Sequence, residues 1–264
     1  MKDSKYHILL VNDDGIDSPG LWAAAEALSK IAYVTVAAPK QQWSGAGRSH
    51  PTTSDGVIKV QKLPVNGEDW TAYAVGGSPA QTVVHAIFEL CPRQPDLVVS
   101  GINYGENAGS SVTASGTVGA ALEAASVGIP SLAISLEVIK KYQLTYSTKI
   151  DFSGAKHFTR LFADMMLNTS MPDDVDLLKI EIPCDANEAT PWRLTRLSRT
   201  PYYKLSIKPR ENLDEPIHIE YDVDMDLSRL EKDGDSYAIR VDRVVAVTPM
   251  SVDFTSRVKM SDLD

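Results

Sequence analysis

The chain has 264 residues, 43% of them hydrophobic and 23% charged, and a formal net charge of -9. A chain of this length buries roughly 70 to 75% of its extended surface, so one large domain or a core with an appended subdomain is expected, and its two cysteines, Cys91 and Cys184, form neither a CxxC pair nor a disulfide framework, which fits a reducing, cytoplasmic setting. The acidic balance argues against a nucleic-acid surface, which needs clustered Lys and Arg, and the lack of an 18-residue apolar run, with entry into a strand almost at once, argues against a membrane span or signal peptide.

Residues 7–11 (HILLV) are continuously apolar, the pattern of a strand covered on both faces. The strand ends in Asn12, Asp13, Asp14 and Gly15, where the chain stops being extended and two neighbouring carboxylates can converge. Oxygen ligands crowded at a strand end suit Mg²⁺ or Mn²⁺ better than zinc. Turn formation is the competing reading, because Asn, Asp and Gly dominate turns. Residues 19–30 (PGLWAAAEALSK) read as a helix with Ser18 as N-cap and Pro19 in its first turn. Residues 33–37 are a second strand, followed by a polar loop over 39–50 that carries Ser44 between Trp43 and Gly45. A serine hydroxyl can complete a hard-metal shell or meet a phosphate oxygen; a plain surface loop is the alternative.

Residues 57–63 and 71–75 read as short strands about an Asn66-Gly67 turn. Ser78 then caps a helix running to about Leu90, in which His85 faces mostly apolar neighbours and reads as buried rather than catalytic. His50, at the end of the Ser44 loop, is a weaker candidate for an acid or base. Residues 96–100 (DLVVS) form the next strand and lead into SGINYGENAG, where Asn103 offers a neutral amide oxygen and Asn107 can hydrogen-bond a substrate or hold the loop. A helix over 113–127 begins near Ser115 or Gly116. Its unpaired amides and positive dipole end, with the hydroxyls of Ser110, Ser115 and Thr117, make an anion site, and capping alone is the alternative for Ser115.

Residues 130–136 are a further strand, 152–167 a helix, and 177–182 (LLKIEI) a buried strand. The region from 191 to 264 shows polar alternation of the kind found in hairpins. The expected fold is a three-layer α/β/α sandwich on a mostly parallel, Rossmann-like sheet. Residues 1–150 carry the metal and phosphate loops, 151–190 complete the core, and 191–264 form a β-hairpin extension serving as lid or dimerisation arm. Ends of parallel strands share one edge of the sheet, so the four polar loops are expected to meet. GxGxxG, GxxxxGK[ST], a zincin helix and G-x-S-x-G are all absent, which leaves metal and carboxylate chemistry on a phosphate.

The ordered motifs NDDG (12–15), the Ser44 loop, GGSPA (76–80), SGIN followed by GEN, SGTVGAA (115–121), WRLTRLSR (192–199) and VAVTPMSVDFT (245–255) resemble the SurE family of survival-protein 5'/3'-nucleotidases across nearly the whole chain. The resemblance implies a divalent-metal-dependent phosphomonoesterase acting on nucleoside monophosphates, in some members on short polyphosphate. It also implies metal ligation by Asp13, Asp14, Ser44 and Asn103, and a homodimer or homotetramer with exchanged C-terminal segments. The pattern departs at Ser18, at Gln81, at Ala114 where a tyrosine is usual, and in VDRVVAVTPM, which lacks a glycine-tyrosine; none of these is a proposed ligand. The expected catalytic residues are Asp13 and Asp14, with Asn107, Ser110, Ser115, Gly116 and Thr117 on the phosphate. Direct attack by water and an aspartyl-phosphate route both remain open on sequence, as do short-chain exopolyphosphatase activity and a noncatalytic Mg²⁺-dependent nucleotide sensor.

Overall fold

The computed structural model describes residues 5–65, 67–143, 145–224 and 226–263. Six parallel strands form its centre: β1 (His7–Val11), β2 (Tyr33–Pro39), β4 (Glu68–Val75), β5 (Leu97–Tyr104), β6 (Ser131–Leu136) and β7 (Leu177–Ile182). An antiparallel β3 (Ile58–Val65) closes one side, while β11 (Val245–Met250) and β8 (Trp192–Leu194) extend the other. The nine strands lie in the order β3-β4-β2-β1-β5-β6-β7-β11-β8. The turn expected at Asn66-Gly67 includes Asn66, which lies outside the described residues.

Alternation along the apolar strands builds the three layers. Ile8 and Leu10 of β1 join the core beneath α1 (Pro19–Leu28), with Val34, Val36, Leu97 and Val99 from the neighbouring strands. Leu9 and Val11 point the other way, against Val83 and Ala86 beside α2 (Pro79–His85) and Ala120 and Ala124 of α3 (Gly116–Ser126). After a short α4 (Lys140–Gln143), α5 (Ser153–Asn168) buries Phe158 and Phe162 in the α1 layer. Gln81 closes a capping box with Ser78, each side chain bonding the other's backbone N–H, so this departure from the family pattern has a local purpose.

Several expected boundaries move. The helix read over 113–127 divides into a 3-10 turn (Gly109–Ala114) and α3, whose N-cap Ser115 accepts from the Val118 amide. The strand read over 96–100 runs on to Tyr104 through a bulge, because Ser100 pairs with Ala133 but Asn103 pairs with Ser135. Within 191–264 the separate hairpin is narrower than expected: β9 (Tyr203–Ser206) and β10 (Glu220–Val223) form a two-stranded antiparallel sheet, while β8 and β11 belong to the main one. Residues 237–247, which alternate like a strand, begin instead as helix in α6 (Asp235–Tyr237) and a π-helical turn (Ala238–Asp242).

The buried β7 carries two charges. Lys179 and Glu181 share the face opposite Leu178 and Ile180 and are fully buried. There Lys179 meets Glu181 at 3.1 Å and Asp235 of α6 at 2.9 Å. The α6 segment therefore covers the sheet through charge as well as apolar contact.

Candidate active site

Asp13 and Asp14 follow β1 at the centre of the edge where the parallel strands end. Asn12 braces this turn from within: its side-chain amide donates to the Gly15 carbonyl and accepts from the Gly15 N–H. Gly15 sits at φ +97°, a conformation L side chains avoid. The Asp13 carbonyl accepts from the Trp43 N–H at 2.8 Å, which ties the Ser44 loop to the aspartates.

The two carboxylates are held differently. Thr117 donates its buried hydroxyl to Asp13 Oδ1 at 2.6 Å, and the Gly116 and Thr117 amides at the start of α3 also favour the ionised form. A Cβ on Gly116 would lie 2.7 Å from that of Asp13, so the bare glycine is what lets the carboxylate seat itself there. Asp14 accepts from Gln42 Nε2 at 2.8 Å and from the Tyr104 amide at 3.0 Å. Burial drives both carboxyls above the usual range, and the neighbouring Asp13 charge raises Asp14 further. No basic side chain among the described residues pairs with either.

Asn103 reaches the same place through the β5 bulge. Gly101 lies at φ +133°, and a Cβ there would come within 2.3 Å of the Ile134 carbonyl oxygen. Past it, Asn103 Nδ2 donates to the Gly105 carbonyl at 2.8 Å, which leaves Oδ1 as the amide's acceptor for a cation. Asp13, Asp14, Ser44 and Asn103 all border one cleft of about 300 Å³. Two buried carboxylates, an amide oxygen and a hydroxyl, with no cationic side chain among the described residues paired to them, are a donor set that fits a hard divalent ion.

Of the residues expected to meet phosphate, Asn107 and Ser115 border this cleft. Ser115 Oγ accepts from the Val118 amide and keeps its own proton to donate. Asn107 spends one amide hydrogen on Ser135 Oγ and its backbone N–H on Glu181. Gly116 and Thr117 are buried behind Asp13 and turn their polar groups to its carboxylate, since a helix N-terminus attracts the nearest anion. Ser110 is exposed and off the cleft wall, where Ser111 stands instead. His50 pairs with Glu123 at 3.2 Å, and His85 is partly exposed rather than buried and pairs with Glu89; neither borders the cleft.

Sequence reading did not single out Gln42, Glu106, Gln143, Tyr203 or Tyr221, all of which line the cleft. Gln42 was within reach, two residues from Ser44 on the same loop. The two tyrosines come from the distant hairpin, and no local signal marks them.

A second acidic group, Glu137, Cys184 and Asp185, has ligand atoms within 4.8 Å of one another and could by distance hold a metal ion. Arg243 bonds all three, so a guanidinium already supplies the positive charge there.

Residues 8–204 match the family described as Survival protein SurE. The chain is 41% identical over 259 residues to the 5'-nucleotidase SurE of Thermococcus gammatolerans, covering 97% of this chain and 94% of that protein. It is 39% identical to the 5'-nucleotidase SurE of Methanosarcina acetivorans, covering 97% and 96% respectively. Its fold superposes on the crystal structure of the SurE protein from Aquifex aeolicus with a TM-score of 0.77 and 31% identity, over 97% of this chain and 98% of that one.

Proposed function

The chain belongs to the SurE family of survival-protein 5'-nucleotidases, and from that premise we propose that it hydrolyses the phosphate monoester of nucleoside 5'- and 3'-monophosphates, releasing nucleoside and phosphate. Family membership supports hydrolase chemistry in general. The finer reading rests chiefly on one observation: Asp13 and Asp14 are buried side by side without a basic partner among the described residues, on a cleft they share with Asn103 and Ser44.

These four residues would hold one Mg²⁺ or Mn²⁺. When bound, such an ion lowers the pKa of water and offsets the negative charge that develops on the phosphoryl group. Asp14, with both oxygens engaged by Gln42 and the Tyr104 amide, is a fixed ligand. Asp13, fixed through Oδ1 by Thr117, orients the attacking water with Oδ2 and takes its proton. A carboxylate pinned against α3 is poorly placed to advance on phosphorus, which favours water over an aspartyl-phosphate route. Ser115, through its free hydroxyl proton, and Asn107, through its second amide hydrogen, supply donors to the remaining phosphate oxygens.

The test is phosphate release from a panel of 5'- and 3'-nucleoside monophosphates, glycerol phosphate and short polyphosphate, after EDTA treatment and after adding Mg²⁺ or Mn²⁺. Turnover that needs metal and disappears in Asp13→Ala, with an unchanged circular dichroism spectrum, is expected. A folded protein that binds nucleotide and returns it intact with every metal would overturn the hydrolase reading in favour of a sensor.

A further inference from the structure

The loop that leaves β5 borders the cleft with Glu106, Asn107 and Ser111. The Gly105 N–H still reaches the Leu136 carbonyl, but the amides of Asn107 and Gly109 leave the sheet ladder and turn to buried carboxylates. Between them the hairpin takes hold of Glu106: Oε1 accepts the Tyr202 hydroxyl at 2.7 Å and the carbonyl accepts the Tyr203 hydroxyl at 3.0 Å, while the buried Oε2 has no partner among the described residues. Asn107 is fixed twice. Its N–H donates to Glu181 Oε2 and its side-chain amide to Ser135 Oγ, both at 3.0 Å, and Ser135 and Glu181 stand opposite each other on β6 and β7. That leaves the second amide hydrogen for the cleft, which Asn107 borders.

Two residues on, the Gly109 N–H donates to Asp235 Oδ2 at 3.0 Å, while Asp235 Oδ1 accepts the Ser198 and Ser236 amides at 3.0 and 2.7 Å. Glu181 and Asp235 both meet Lys179, and all three side chains are fully enclosed. A buried ion cluster adds little stability over apolar side chains of the same volume, so its worth lies in what its oxygens hold. Buried N–H groups in an irregular loop must find partners, and β7 and α6 supply them through side chains. A carboxylate accepts at both oxygens. Glu181 needs both, one for Lys179 and one for the Asn107 amide.

We propose that Lys179, Glu181 and Asp235 are positioning residues for the phosphate side of the cleft: the two carboxylates fix the amides of Asn107 and Gly109, Lys179 holds both carboxylates in place, and the Asn107 side chain is thereby aimed at a phosphate oxygen. This rests on the phosphomonoesterase reading and extends it to side chains that touch neither metal nor substrate. Donors held in place before the ligand arrives need no reordering when it binds, so loosening the cluster is felt in phosphate affinity.

The experiment titrates inorganic phosphate calorimetrically into the Mn²⁺-treated full chain, its Glu181→Gln variant, Asn107→Ala and the double variant. An amide has a single oxygen and cannot serve both Lys179 and the Asn107 N–H, yet Glu181→Gln leaves Lys179 matched to Asp235, so the fold is expected to persist; Glu181→Leu, with the same charge balance, takes its place if it does not. Phosphate affinity is expected to fall about 10-fold in Glu181→Gln, with KM for AMP rising alongside and Mn²⁺ affinity unchanged. In the Asn107→Ala background the same substitution should change phosphate affinity by less than about 2-fold, because residues that act through one another are not additive. An equal loss in both backgrounds, an equal loss of Mn²⁺ affinity, or a wild type that binds no phosphate would overturn the proposal. If AMP is hydrolysed but Glu181→Gln binds phosphate as the wild type does, the hydrolase reading stands and the proposal fails. If nothing is hydrolysed but phosphate affinity falls only where Asn107 is present, the proposal stands and the hydrolase reading fails.

Discussion

Thr117 sits at the first turn of α3 without solvent exposure, and its hydroxyl has a specific task in holding Asp13 Oδ1. Replacing it by valine keeps the volume but removes the donor, so Asp13 loses the bond that orients it. Partners of this kind are worth about 10- to 100-fold in metal affinity. Thr117→Val is therefore expected to need about that much more Mn²⁺ for half-maximal phosphate release, with much of the rate regained at saturating metal, and Thr117→Ser should behave like the wild type. An unchanged Mn²⁺ requirement in Thr117→Val would show that the hydroxyl does not orient the carboxylate. At this scale the sequence made the aspartates, Ser44 and Asn103 legible because each closes or follows a strand of one parallel sheet. It did not reveal that the amides of Gly116 and Thr117 would be turned to Asp13, because only packing places α3 behind the first strand. Glu106 stood in plain view in the GEN motif, but its unpaired oxygen depends on where Tyr202 lands, 96 residues later.

The strand β7 shows what elements add. LLKIEI reads correctly as a buried strand, although two of its six residues are charged. Burial is tolerated because the second face is covered by α6, which brings Asp235 to Lys179, and Asp235 in turn accepts the Gly109 and Ser198 amides. Glu181 accepts from Asn107, so the same cluster supports the loop along the cleft. Removing the lysine would leave two carboxylates enclosed together, and breaking a buried pair costs about 3 to 5 kcal/mol. Lys179→Met should lower the melting temperature markedly, and pH should modulate the loss. Burial already raises Glu181 even beside its lysine, so without that lysine its folded pKa lies further above the unfolded value near about 4.3. Such a group stabilises while protonated and loses that contribution as pH rises through its folded pKa. The gap in melting temperature between wild type and Lys179→Met is thus expected to widen from pH 5 to pH 8. A constant gap would mean that the buried carboxylates do not govern the variant. Strand alternation in 191–264 misled for a related reason: residues 237–242 alternate in polarity but curl into helix so that Asp235 and Ala238 can face the sheet.

For the molecule as a whole, the parallel strands and their order of loops place the chemistry at one edge, and no helix of the described residues is long and apolar enough to cross a membrane. What the strand pattern could not decide is the task of the hairpin. A two-stranded sheet is only marginally stable by itself, yet this one and its connecting loop leave Leu205, Ile207, Leu213 and Ile219 between 58% and 82% exposed. Its inward side is anchored to Glu106 through Tyr202 and Tyr203, so these apolar side chains are not needed to hold it on its own core. Exposed apolar side chains gathered on one projection mark a surface that something covers, and a second copy of this chain would also shield the hairpin edges from indiscriminate pairing. Light scattering on the eluting protein at micromolar concentration is expected to give at least twice the chain mass of 28.8 kDa. The double substitution Leu205→Glu and Ile207→Glu should shift it to the monomer while leaving the circular dichroism unchanged, because neither side chain belongs to the buried core. A wild-type monomer would instead assign the hairpin to a lid over its own cleft, and nucleotide hydrolysis should then fall in the same double variant without any change in mass.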